Sequence, residues 1–315
     1  MWVGFPSHAG LWEEHLTPAR AQVAPLVKAL AGPGGESVKL MVRGAEARAA
    51  AEDLLRGAAH VEIIDAEFGD IWLRDTGPIF TGPGEAAAFA FNGWGGKYIL
   101  PGDEAVAPTI AAGAALTSHD FVLEGGALDH DGEGTVLTTR ACLLNPNRNR
   151  GWREDDAEQA LSQALGARKV LWLDQGLMND HTDGHVDNLA RFIAPGVIAC
   201  PASYGEDDPN AHVYDLAARA LSTMTDAAGR AIEVVRIPSP GRIMSAERRV
   251  EPASHMNFII ANKAVIAPVY DARAGAWAVE ALEVLFPTRV VIGLPSRALL
   301  TGGGSFHCIT QQEPV

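Results

Sequence analysis

Short apolar runs of strand length alternate with amphipathic stretches of helical period along the whole chain. WVGF (2–5) precedes a helical pattern over 18–31, for which Thr17 is the expected N-cap and Pro18 the first-turn residue. VKLMV (38–42) precedes an alanine-rich helical pattern around 45–56, and VEIID (61–65) follows. Further strands are expected in IWLRD, AAAFAFN, FVLEGG and GTVLTT, and further helices over 104–116, 153–165, 209–225 and 273–286. The unit is strand pair, helix, strand, and it returns about five times. Such an alternation predicts an α/β fold. A fainter echo runs through it: VGFPS (3–7), IACPAS (198–203), IAPVYD (266–271) and IGLPSR (292–297) each end a short strand with a proline nearby. This suggests pseudo-repeats of one supersecondary unit, although strand-then-proline is also ordinary turn chemistry. The Gly and Pro clusters at 32–35, 82–84 and 302–304 have the length of turns, so residues 1–315 are expected to form a single domain.

Charge and cysteine usage narrow the class. With 25 basic and 39 acidic side chains the net charge is −14, which argues against a nucleic-acid partner because phosphate binding needs clustered Lys and Arg. No stretch approaches the apolar length of a membrane span. The opening MWVGFPSHAG lacks the basic and apolar regions of a signal peptide. Three scattered cysteines are too few for a disulfide framework, so a reducing, cytoplasmic location is expected.

Four segments hold residues that could carry chemistry. Cys308 emerges from TGGGSFHCIT, where consecutive glycines let a ligand approach the backbone; it is a candidate nucleophile. Cys142 and Cys200 lie in apolar runs and read as small buried hydrophobes. In HTDGHVDNLARF, His181, Asp183, His185 and Asp187 alternate, and on an extended strand they would share one face. That leaves three readings open: a metal site, an acid/base His185 beside a cation-holding Asp187, or a polar turn. In DIWLRDTGPIF, Trp72, Arg74 and Asp75 are expected to end a strand; either Arg74 and Asp75 form a structural ion network, or Asp75 points into a cleft that Trp72 walls for a cation. Trp94 in the glycine-rich FNGWGGKY invites the same thought. Glu124 in FVLEGG is a carboxylate in a strand context and needs a partner, structural or catalytic. The DHDGEG after it reads as a hairpin turn.

One thiol, one histidine and three carboxylates (Asp75, Glu124, Asp187) suit a cationic substrate. A guanidinium fits, since carboxylates pair bidentately with its nitrogens and orient its carbon for a thiolate. The motifs WVGFPS, WLRDTGP, FNGWGGK, LEGG, LLNPNRN, TDGHVDNLARF, MNFIIAN and GGGSFHCITQQ together resemble the agmatine deiminase and bacterial peptidylarginine deiminase family, within the guanidino-group-modifying (pentein) superfamily. The resemblance covers nearly the whole chain. It implies a five-unit pseudo-symmetric α/β propeller, with Cys308 as nucleophile and His185 as general acid/base. It further implies that Asp75 and Asp187 clamp the guanidinium, that Glu124 supports His185 or the substrate nitrogens, and that Trp72, Trp94, Asn257 and Asp183 lie on the substrate side. The implied reaction forms an amidino-cysteine intermediate and releases a ureido product, N-carbamoylputrescine if the substrate is agmatine. Neither half requires a metal or organic cofactor. The expected partner is thus a small cationic guanidine, and assembly as a homodimer is compatible with such an acidic α/β enzyme.

Three departures stand out. The chain opens directly at WVGFPS, the stretch between Trp94 and Glu124 is compact, and Arg140 stands where agmatine deiminases commonly carry an acidic residue. Another alkylguanidine, or free or peptidyl arginine, is the alternative substrate; Lys97 or Arg140 would then meet its carboxylate. A metal-dependent hydrolase built on His181, Asp183, His185 and Asp187 is the alternative from another class.

Overall fold

The computed structural model describes residues 1–314. Five small sheets carry the strands, and the chain divides into two compact units. The first unit comprises Met1–Ala88, Leu100–Leu116 and the described residues from Asn257 onward; the second comprises Phe89–Ile99 and Thr117–Met256.

In the first unit, β1 (Trp2–Gly4) pairs in parallel with β2 (Val38–Val42), which pairs in parallel with β3 (Val61–Asp65). Parallel neighbours need a crossover, and the helices Leu16–Ala31 and Ala45–Leu54 supply it. The strands β4 (Ile79–Gly82), β5 (Glu85–Ala90) and β6 (Ala115–Val122) make the next sheet, in the stretch where the chain passes from the first unit to the second. In the second unit, β7 (Leu128–His130) and β8 (Thr135–Thr139) form a hairpin, and the helix Glu154–Leu165 returns the chain to β9 (Lys169–Leu173), parallel to β8. The pattern recurs in β10 (Arg191–Ala194), β11 (Val197–Ala202), the helix Ala211–Leu221 and β12 (Glu233–Pro238). Back in the first unit it recurs in β13 (Ile259–Ile260), β14 (Ala264–Val269), the helix Ala272–Leu285 and β15 (Val290–Pro295). Finally β16 (Thr310–Gln311) pairs antiparallel with β1, giving that strand the same pair of neighbours.

The strand pair, helix, strand unit is therefore the real building block. The echo has a positional meaning as well: VGFPS, IACPAS and IAPVYD begin on β1, β11 and β14, each an inner strand between an antiparallel and a parallel neighbour, whereas IGLPSR lies on the outer parallel strand β15. The turn expected over DHDGEG (129–134) narrows to 131–134, which joins β7 to β8, with the Asp131 carboxylate accepting the backbone N–H of Glu133 and Thr135.

Four local expectations are corrected. The first long helix starts at Leu16, led in by the 3-10 turn Glu13–His15, so Thr17 lies inside it and does not cap it. The helix expected over 104–116 shrinks to Val106–Ile110, because Gly113 turns left-handed (φ 96°) and β6 begins at Ala115. IWLRD is no strand: Leu73–Thr76 is a helical turn, held by the Thr76 hydroxyl donating to the Trp72 carbonyl. Nor is HTDGHVD a strand. Asp183 (φ 66°) and Gly184 (φ 106°) both turn left-handed, and Val186–Asn188 closes a 3-10 turn, so alternation in sequence does not become one face.

Candidate active site

In the second unit, Val186 is the anchor. It is fully buried in an apolar core with Leu137, Leu171, Ile198, Tyr214 and Leu221, and it fixes the His185 and Asp187 that flank it. Both flanking side chains are also buried. The loop before them is set by close packing: a Cβ on Gly184 would stand 2.7 Å from the Gly176 nitrogen, so the two glycine backbones touch where a side chain could not fit. Thr139, at the end of β8, donates its hydroxyl to the Gly184 carbonyl at 2.6 Å.

Around His185 a buried polar group assembles. Glu124, fully buried just after β6, receives Arg148 Nε on both oxygens at 2.9 Å, and its Oε2 lies 3.9 Å from His185 Nε2. Burial alone would raise the Glu124 pKa; the neighbouring His185 and the Arg148 guanidinium outweigh it and hold the carboxyl below its usual value. The rest of the Arg148 fork reaches Asp183 Oδ2 (2.6 Å) and the Thr182 carbonyl (2.7 Å). Asp183 also takes Lys97 Nζ and Asn147 Nδ2, so both its oxygens are engaged. His181 lies apart from this group, its Nδ1 3.1 Å from the Tyr98 hydroxyl. Trp94 is buried in the strained turn Gly93–Gly96 with φ 54°, a rare conformation for a bulky residue, edge-on to Phe91.

The tetrad His181, Asp183, His185 and Asp187 is thus dispersed. Among the described residues the set with metal-ligand spacing is Glu124, Cys142 and His185, each offering one atom within 4.8 Å of the others. Cys142, read from sequence as an inert buried thiol, is buried but stands in this group; burial raises its pKa, with His185 pulling it down. Cys200 fits its reading, buried and pushed up to about 11 by burial. Arg148 was equally missed as a site residue, although a buried glutamate calls for a cation and Arg148 belongs to the NPNRN run.

In the first unit, Cys308 is buried below the glycine run. Asn257 Nδ2 lies 3.2 Å from its sulfur, and Asn257 Oδ1 receives the backbone N–H of His307 (2.9 Å) and of Cys308 (3.3 Å). The Cys308 carbonyl accepts the Arg74 backbone N–H at 3.0 Å, which ties it to the helical turn that holds Asp75. Arg74 is a structural residue of this turn, donating Nη1 to Gln311 Oε1 at 2.8 Å. Asp75 is buried, and Trp72, which opens the turn, packs on Gly304. The structure therefore groups Cys308 with Asn257 and Trp72, ties it through the backbone to the turn that carries Asp75, and groups Glu124 and His185 with Arg148 and Cys142.

The family model described as Porphyromonas-type peptidyl-arginine deiminase matches residues 1–314. The chain belongs to this family. An agmatine deiminase of Pseudomonas aeruginosa is 34% identical over 346 residues, spanning 100% of this chain and 92% of that protein. Among solved structures, the agmatine deiminase of Enterococcus faecalis superposes with a TM-score of 0.91 at 31% identity, covering 99% of this chain and 92% of that one. The Pseudomonas aeruginosa DDAH in complex with citrulline shares the fold at 13% identity, with a TM-score of 0.52 over 96% of this chain and 94% of that one. The fold is accordingly the five-unit α/β propeller expected from the sequence, as in the agmatine deiminase structure.

Proposed function

We propose that the protein hydrolyses agmatine to N-carbamoylputrescine and ammonia, with residues 1–315 acting as a single catalytic domain. Full-length similarity to proteins named agmatine deiminase carries this reading. In the first half-reaction the Cys308 thiolate attacks the guanidinium carbon and a C–S bond forms. His185 gives its proton to the departing nitrogen, the C–N bond breaks, and ammonia leaves an amidino-cysteine. In the second half His185 takes a proton from water, whose oxygen attacks the same carbon. The C–S bond breaks, the thiolate returns, and the second proton of the water is released to solvent, where it ionises the ammonia. Asp75 and Asp187 hold the guanidinium nitrogens, and Glu124 orients His185 and stabilises its charged form. Trp72 and Trp94 wall the substrate, and Asn257 steadies the sulfur. Asp183, whose oxygens Lys97, Asn147 and Arg148 already engage, shapes the loop before His185.

One observation favours agmatine over arginine. An arginine carboxylate needs a cation, yet Arg140 is paired with Glu154 (2.7 Å) and Asp174 (2.8 Å), and Lys97 with Asp183. All three cysteines are free, in keeping with a reducing cytoplasm, and no helix among the described residues is long and apolar enough to cross a membrane. The exposed Trp277 and Val284, seven residues apart on one helix, offer a face for a homodimer.

The test is a panel of agmatine, arginine, a peptidylarginine and other alkylguanidines, scored for ammonia and ureido product. Agmatine is expected to lead, Cys308→Ser to abolish turnover and chelators to leave it intact. Loss to chelators with retention in Cys308→Ser would support a metal hydrolase instead.

A further inference from the structure

Asp70 is a buried carboxylate that the proposed reaction does not use. Its Oδ1 accepts the indole N–H of Trp12 at 2.9 Å. His8 is the basic neighbour and Asp103 the acidic one. The two indoles lie together, 6.2 Å between centroids and 30° between planes, and both are buried.

What these rings pack against gives the carboxylate a purpose. A Cβ on Gly302 would fall 2.7 Å from Trp12 Cη2 and 2.8 Å from Trp72 Cζ2. A Cβ on Gly304 would fall 2.5 Å from Trp72 Cζ3 and 3.1 Å from the Cys308 Cβ. The glycines before Cys308 are therefore spaces that the indoles fill, and the main chain leading to the thiol runs across their faces. On its other side the same peptide is tied by the Arg74 N–H to the turn that Trp72 opens.

We propose that Asp70 is a positioning residue for Cys308, acting through Trp12 and Trp72. The carboxylate accepts the Trp12 indole N–H, and Trp72 lies against the ring so fixed. Asparagine accepts that N–H in only one of its two amide orientations, and without the charge that strengthens the bond. Once both rings are fixed, the Gly302–Gly304 chain has one place to lie, and the sulfur is held where a small displacement would be costly to the reaction. The inference rests on Cys308 as the nucleophile.

The experiment compares wild type with Asp70→Asn, Trp12→Phe and their double variant. The readouts are iodoacetamide labelling of Cys308 located by peptide mass, kcat and KM for agmatine, and Tm. Asp70→Asn is expected to label Cys308 faster, because the loop loosens, while kcat falls about tenfold or more. Trp12→Phe, which keeps a ring and loses the N–H, moves both readouts the same way, and the double variant is little worse than either single one. Wild-type labelling and kcat in Asp70→Asn overturn the inference, as do additive effects in the double variant. If Asp70→Asn fails to fold, an unchanged Trp12→Phe overturns it alone. A wild-type protein that yields no ureido product and no Cys308 adduct overturns the functional reading, a result distinct from the rest.

Discussion

Asn257 holds Cys308 in two ways at once: its Nδ2 lies 3.2 Å from the sulfur, and its Oδ1 receives the backbone N–H groups of His307 and Cys308. The oxygen is committed to two backbone donors, so the amide cannot turn over; the sulfur lies 3.2 Å from Nδ2 and 3.4 Å from Oδ1, with the NH₂ the nearer group. A donor there favours thiolate over thiol. Asn257→Asp has nearly the same shape but sets a negative oxygen against the sulfur. It is expected to lower kcat/KM about 10²–10³-fold and to move the midpoint of Cys308 alkylation to higher pH. An unmoved midpoint would show that the amide does not tune the thiol.

Arg148 is the charge that lets Glu124 stay ionised in a fully buried place. Arg148→Ala leaves that carboxylate uncompensated and is expected to cost about 3–5 kcal/mol in denaturant unfolding. The pH dependence follows from the lowered Glu124 pKa, which burial opposes and which His185 and Arg148 enforce. A carboxyl depressed in the folded state stabilises above its unfolded pKa, about 4.3. That contribution is lost as the pH falls through the lower folded value. The stability difference between wild type and Glu124→Gln should thus be flat from neutral pH to about 5 and shrink below it. A difference that grows on acidification would contradict the pairing.

Where apolar runs met turn residues, sequence and structure agree. VKLMV is β2 and VEIID is β3 to the residue, and of DHDGEG the last four residues turn between β7 and β8 while Asp129 and His130 end β7. Alternation and burial carry that information. The left-handed backbone of Asp183 and Gly184 is a different kind of fact, set by the contact of Gly184 with Gly176, and period-2 spacing says nothing about it. WLRDT likewise reads as apolar and extended until the Cys308 carbonyl, far away in sequence, fastens it as a helical turn. Cys142 shows the limit from the other side. Its apolar neighbours gave its burial correctly, but burial hides which polar groups share the site.

Cys142 offers a direct contrast with Cys308. Burial raises the pKa of Cys142 and of Cys200, so both stay thiols at neutral pH. Iodoacetamide on the native protein should therefore modify Cys308 alone, and all three after denaturation. Cys142→Ala removes a neighbour of His185 and Glu124 and is expected to lower kcat, while Cys200→Ala, in an apolar core, changes stability by about 1 kcal/mol and leaves kcat unchanged. Equal kinetics in the two variants would return Cys142 to a packing role.

Asp103 supplies a pH effect of opposite sign. Its Oδ1 accepts the Gly69 backbone N–H at 3.1 Å, and its pKa is pushed up to about 6 by burial, with the Asp70 charge adding to the rise. A carboxyl raised in the folded state stabilises fully below its unfolded pKa, about 3.9, and that contribution is lost as the pH climbs through the folded value. At neutral pH the native protein must hold an ionised Asp103 in a place that favours the neutral form. Asp103→Asn keeps an oxygen for Gly69 and never ionises. It should gain on wild type as the pH rises from about 4, by on the order of 1–2 kcal/mol at about pH 5 and about 3 kcal/mol above about pH 7, read from Tm and urea midpoints. A gain independent of pH would mean that packing, not ionisation, sets the difference at this position.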